Sequence, residues 1–343
     1  MRKIFLSVLS CLMTVILLFT VAGCATEQSV SFTNAFDTEQ ALTPGGMEVC
    51  TYDVTLQKDY NEELAASSSL QNMMQYSAVG TFTTQLEMLN ADKESEEQWQ
   101  GSNLKDYDIK TVYKYTTTMS LTLTHDLGAG ETIVQDEYTT VTWFASKDFT
   151  YAPIHSSSHY DYTVFTVNDG TVSADKYVYD YSIIYNKKSF KTSLIMNGST
   201  SSSSKEYTFK KVTDNGQLFF LIRNINVELG SNYTFPVKAL SYPEAKNIAV
   251  YYNDNVEQSF NLDVNMKGNT FNGAVTVPYK NLTYRVSDGY NIGKRHYALV
   301  QSGSVSGLSH RALLLEYAEP LTTAGSLHGL GALVFKLNTV TVS

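Results

Sequence analysis

Cysteine is nearly absent from this chain. There are three, Cys11, Cys24 and Cys50, and two of them fall in the first 24 residues. Once Cys11 and Cys24 are accounted for below, Cys50 has no partner for an intramolecular disulfide. Proline is also scarce, 6 in 343 residues, which argues against Pro-rich linkers and extended recognition segments. Charged residues make up 17% and the single uncharged apolar run long enough to matter is at the N-terminus, so a multi-span helical membrane protein is excluded. No Gly-x-Ser-x-Gly, no His-Glu-x-x-His and no phosphate-cradling glycine loop is present. What is abundant is tyrosine, 24 residues, within a 43% hydrophobic composition that can support a folded core.

The N-terminus gives an address. Arg2 and Lys3 form a short positive region, and Ile4 to Val21 is uncharged and largely apolar. Val21-Ala22-Gly23-Cys24 follows directly. This arrangement resembles the lipobox of bacterial lipoproteins. The resemblance implies removal of residues 1–23, acylation of Cys24 and a folded part outside the cytoplasm, held to a membrane through the lipid on Cys24. Without Arg2 and Lys3 the chain has 23 basic and 34 acidic side chains, a formal charge of −11. A charge of that sign argues against nucleic acid as a partner and against a polybasic grip on anionic lipid.

Residues 24–46 are polar, lack periodicity and end in Pro44-Gly45-Gly46, the expected tether. The remainder, 47–343, is expected to be one β-rich domain, with a subdivision near 168–176 as the alternative. Strict alternation carries that expectation. Between 109 and 124, Ile109, Tyr113, Tyr115, Met119, Leu121 and Leu123 share one face, and lysine, threonine and serine fill the other. Phe82, Leu86 and Met88 alternate in the same way, as do Phe260, Leu262, Val264 and Met266 ahead of a Lys267-Gly268-Asn269 turn. Cys50 falls in phase with Tyr52, Val54 and Leu56, which marks it as a buried small hydrophobe rather than a nucleophile.

Further strands are expected near 177–196, 206–212, 217–227, 247–252, 282–287, 295–301, 311–317 and 332–342. Ser199–Ser204 is read as a flexible hairpin loop. One short helix is expected near 60–79, with Asp59 and Glu62 as a capping box, Leu70, Met73 and Met74 as its apolar stripe and Gly80 as its stop. The fold class is therefore all-β or β-dominated, with large antiparallel sheets in a sandwich or half-barrel. This succession of strands with an early helix also resembles secreted bacterial proteins whose curved antiparallel sheet wraps a helix. Half-barrel carriers of that kind hold acyl chains in the hollow.

Candidate chemistry is thin. His155 and His159 stand four apart, but Pro153 and Ser156–Ser158 read as strand, turn, strand, so the pair is expected to be loop histidines rather than metal ligands. Asp92, Glu94, Glu96 and Glu97 read as a solvated loop, and the Ser302–Gly307 run with His310 lacks the setting of a nucleophile elbow. Tyr177, Tyr179, Tyr181 and Tyr185 line one face of a strand around Ile183. They read as the inner face of a sheet, with a ligand platform for sugar rings or an extended peptide as the alternative. Nothing calls for a cofactor. The expected function is a non-catalytic, membrane-anchored module that binds a ligand or partner or is structural in the envelope. The alternatives are a carrier with an apolar cavity and a hydrolase of envelope glycan or peptide.

Overall fold

The computed structural model describes residues 42–57, 75–91, 111–126, 131–145, 151–168, 171–186, 189–196, 198–206, 212–225, 229–238, 245–266, 269–286, 295–300, 313–320 and 332–343. Fifteen strands are found among them. They are β1 (Met47–Gln57), β2 (Gln75–Asn90), β3 (Thr111–Asp126), β4 (Glu131–Ala145), β5 (Pro153–Asn168), β6 (Thr171–Tyr185), β7 (Ser189–Met196) and β8 (Ser199–Glu206). After these come β9 (Thr213–Asp214), β10 (Asn232–Lys238), β11 (Lys246–Met266), β12 (Asn269–Val286), β13 (Arg295–Val300), β14 (Leu313–Pro320) and β15 (Ala332–Val342). One 3-10 turn, Asn215–Gln217, leads into a short helix, α1 (Leu218–Ile222).

The strands form one sheet in the order β8-β7-β6-β5-β4-β3-β2-β1-β15-β14-β13-β12-β11-β10-β9. Nearly every neighbour is antiparallel, as alternation with one wet face requires. The exceptions are β9 beside β10 and the tip of β11 beside β15. One edge of β15 follows β1 throughout, while its other edge is divided: Ala332–Lys336 pair with β14, and Thr339–Val342 pair with Asp263–Met266 of β11. The sheet thus curls until β11 returns to β15. All described residues belong to the compact unit Phe32–Ser343.

The alternating residues bury as their period dictates. Glu48, Cys50, Tyr52 and Val54 of β1 point inward, as do Ala78, Phe82, Thr84 and Leu86 of β2 and Tyr113, Tyr115, Leu121 and Leu123 of β3. Helix α1 lies on this inner face. Phe220 packs against Tyr113, Phe144 and Tyr151, and Phe219 against Phe82 and Tyr317. Leu42 is buried, and the Gly45 N–H donates to the Met88 carbonyl.

Several local expectations change. The strand expected at 217–227 is instead helical over Leu218–Ile222. The run Leu-Phe-Phe-Leu-Ile is apolar at every position, so periodicity cannot separate a buried strand from a buried helical turn. The deciding residue is Asp214, whose carboxylate accepts the Gly216 N–H at 2.6 Å and caps the turn. Gly216 is required there, because a Cβ would collide with the Thr140 and Thr142 side chains of β4.

Of the helix expected near 60–79, residues 58–74 lie outside the described residues, and 75–79 begin strand β2. Gly80 does not stop a helix. It sits where β2 crosses β3, and a Cβ would come within 2.9 Å of Leu121 Cα and overlap the Ser120 carbonyl. Ser199–Ser204 is not a loop but edge strand β8, paired to β7 over eight residues from Met196↔Ser199 to Ser189↔Glu206. The hairpin signal was the Asn197-Gly198 dipeptide, with Gly198 at φ 78. The region 177–196 holds two strands, β6 and β7, and residues 207–211 lie outside the described residues. Asn168 and residues 171–176 belong to the paired strands β5 and β6, whose ladder reaches Asn168↔Thr171.

Candidate functional site

The outer face of β4–β7 carries a hollow of about 340 Å³. Two adjacent cross-strand rows build it. One row is Thr139, His159, Asp180 and Ile195, and the next is Val141, Ser157, Ser182 and Ser193. Period-two geometry puts all eight side chains on the same side of the sheet. The Asp180 carboxylate and the His159 imidazole meet at 2.7 Å through Nδ1, with both side chains more than half exposed, 58% and 51%. Val141 and Ile195 give the hollow two apolar points. Because β4 to β7 are paired strand to strand, their main-chain groups are consumed by the ladder, and only side chains are left to recognise a ligand here.

The two sequence-predicted histidines therefore part company. Residues 153–168 are one continuous strand, so Ser156–Ser158 make no turn, and neither histidine is in a loop. At about 3.3 Å rise per residue, positions four apart on a strand sit roughly 13 Å from one another, beyond the reach of a shared ion. No group of three or more His, Cys, Asp or Glu residues suited to a metal gathers among the described residues. His155 lies between Trp143 and Ile184, is only 3% exposed, and neither ring nitrogen has a hydrogen-bond partner among the described residues. Burial pushes its pKa below the ordinary value.

The tyrosine row occupies the inner face, graded from core to rim. Tyr185 and Tyr181 are buried around Ile183, whereas Tyr179 and Tyr177 are half-buried. The outer half of the row is stacked on its neighbours: Tyr160 on Tyr179 at 4.6 Å and 17°, and Tyr162 on Tyr177 at 5.5 Å and 24°. Tyr138 meets Tyr160 edge-on. In each of these two stacks the neighbouring ring covers one face of the tyrosine.

The buried end of the row belongs to a polar cluster. The Tyr185 hydroxyl donates to Asp214, and Lys238, 1% exposed, donates to the Tyr181 hydroxyl at 3.0 Å. Lys238 also stands 5.5 Å from the Phe190 ring centroid. Burial raises the Asp214 pKa against the opposing effects of Tyr185, Gly216, Ser156 and Lys238.

A second buried charge pair joins α1 to the first strand. Arg223 donates to Glu48 through both terminal nitrogens, at 2.5 and 3.2 Å. Burial works to lower the Arg223 pKa, yet the charge and hydrogen bonds of Glu48 hold it above the ordinary guanidinium value. Cys50 is buried beside this pair, with Sγ 4.0 Å from Glu48 Oε1. Its inward phase is legible from the alternation of β1, and Glu48 shares that buried face although its charge gives no apolar signal.

Cys24, Asp92–Glu97 and Ser302–His310 lie outside the described residues. The His159–Asp180 pair was missed because residues 21 apart meet only once the β5–β6 register is known. No family model matches the sequence, and no curated protein or solved structure is detectably similar to it.

Proposed function

We propose that this protein is a lipid-anchored, extracytoplasmic binding module that performs no catalysis. The observation that carries the reading is the acylation motif Val21-Ala22-Gly23-Cys24 directly behind an uncharged apolar run. The segment between Cys24 and Leu42 is largely polar in sequence, as a spacer between lipid and sheet would be. The outer hollow supports binding, because a solvent-facing concavity over four strands offers hydroxyl, carboxylate and imidazole groups to a ligand.

The alternative of an acyl carrier needs an apolar hollow inside the curved sheet. The packing of Phe219 and Phe220 against seven aromatic side chains of the inner face weighs against it: Phe82, Tyr113, Tyr115, Phe144, Tyr151, Tyr317 and Phe335. The hydrolase alternative would draw on His159 and Asp180. Both side chains are more than half exposed to water, which is poor ground for a low-dielectric active site.

The test is Cys24→Ala in the native bacterium. The substituted protein is expected to leave the membrane fraction or to accumulate as an unprocessed precursor, and mass spectrometry of the wild type should show an acylated N-terminal cysteine. Unchanged processing and membrane retention would overturn the reading.

A further inference from the structure

The hollow on the outer face can be assigned an occupant class from its lining. The two faces of the β4–β8 wing use their hydroxyls differently. On the inner face they pair with one another: Thr140 with Ser158 at 3.0 Å, Thr142 with Ser156 at 3.2 Å, and Thr192 with Ser203 at 2.7 Å. On the outer face, Ser157, Ser182 and Ser193 form an unbroken cross-strand row that lines the hollow instead. The neighbouring row sets His159 and Asp180 at 2.7 Å, a unit that both donates and accepts. Val141 and Ile195 supply apolar contact beside them.

We propose that this hollow binds a saccharide, an inference that rests on the binding-module reading above. Three features select that class. The volume, about 340 Å³, is at the lower end of the roughly 300–1,000 Å³ of small-ligand sites. Six of the ten lining residues carry a neutral hydroxyl, and the one carboxylate disfavours phosphates and other anions. The main chain beneath is fully engaged in the ladder, so an extended peptide has no free strand edge to pair with at this place. A ring of hydroxyls with apolar C–H faces matches a surface of hydroxyls with two aliphatic points.

The experiment titrates the full-length lipidated protein, in detergent micelles, with chitotetraose, maltotetraose and soluble peptidoglycan glycan strands. Binding to at least one is expected. Ser157→Val combined with Ser182→Val, and separately Asp180→Ala, should each weaken the dissociation constant at least ten-fold at unchanged melting temperature. Ser201→Val on edge strand β8 should leave it unaltered. Binding that survives both hollow variants overturns the site, and loss on Tyr177→Ala alone would move binding to the tyrosine edge. Absence of binding to all three saccharides overturns the occupant class. The module reading is decided separately, by where the Cys24→Ala protein fractionates.

Discussion

Two side-chain contacts to a carboxylate in this molecule have similar distances and opposite surroundings. Glu48 and Arg223 meet at 2.5 Å with side chains 2% and 4% exposed, between the first strand and α1. His159 and Asp180 meet at 2.7 Å with side chains 51% and 58% exposed, on the open face of β5 and β6. In the first region, removal from water makes each charge dependent on the other. In the second, water already solvates both, so their attraction is screened and little is lost when they separate. The same contrast runs through the hydroxyls, which pair with one another on the inner face and line a hollow on the outer one. The buried inner face commits its polar groups to the fold, and the outer face of the wing leaves them available to a ligand.

The largest test of that division is Arg223→Met. It leaves Glu48 buried without its partner and should cost about 3–5 kcal/mol in urea unfolding. The double variant Glu48→Leu with Arg223→Met should recover most of that loss, since apolar replacement of a whole buried pair is often neutral. A double variant as unstable as the single one would mean that the pair contributes more than mutual compensation. The nearby Cys50 should react with a water-soluble maleimide only on unfolding.

The tyrosine row tests the division within a single strand. Tyr185→Ala should cost about 3–5 kcal/mol, the range for deleting a large buried aromatic, and it would also strip Asp214 of a donor. Tyr177→Ala, at the half-buried rim, should cost about 1 kcal/mol, near the centre of ordinary substitutions. Equal losses at the two positions would show that the row is core along its whole length.

These contrasts were unevenly legible in the sequence. The strands of the centre announce themselves, because Tyr52, Val54, Phe82, Tyr113 and Tyr115 recur at period two and each buries where that period puts it. Period gave no help at Leu218–Ile222, where every residue is apolar and the helix depends on Asp214 and Gly216. The serines of β8 look like a linker by composition, yet an eight-residue ladder to β7 orders them as a strand. Composition reports what a segment can bury and says nothing of which edge it can join. The sites were least legible of all. Glu48 and Arg223 are 175 residues apart, and His159 and Asp180 are 21 apart, so both pairs exist only through the register that folding selects.

His155 gives a smaller, pH-dependent effect. Its pKa is lowered by burial, so the folded state resists protonation while the unfolded chain binds a proton near pH 6.5. Stability from this residue is therefore complete above about pH 6.5 and is lost as pH falls through that value toward the lower folded pKa. His155→Leu removes the titrating group together with two ring nitrogens that have no hydrogen-bond partner among the described residues. Its unfolding free energy should fall less than that of the wild type between pH 7.5 and pH 5. Parallel profiles for the two proteins would place the acid sensitivity elsewhere.

The smallest expected effect is at the exposed pair itself. His159→Ala and Asp180→Ala should each change stability by no more than about 1 kcal/mol, and their coupling in a double-mutant cycle should fall in the 0.2–1 kcal/mol range of surface ion pairs. Raising salt should shrink that coupling further, whereas it should leave the Glu48–Arg223 coupling nearly intact, since buried pairs are screened much less. The value of the measurement lies in the contrast. A coupling above about 2 kcal/mol at His159–Asp180 would mean that the pair is shielded from solvent and does structural duty like its buried counterpart. The polar groups of the wing would then be committed to the fold, and the hollow would lose the carboxylate and imidazole on which its recognition of a ligand depends.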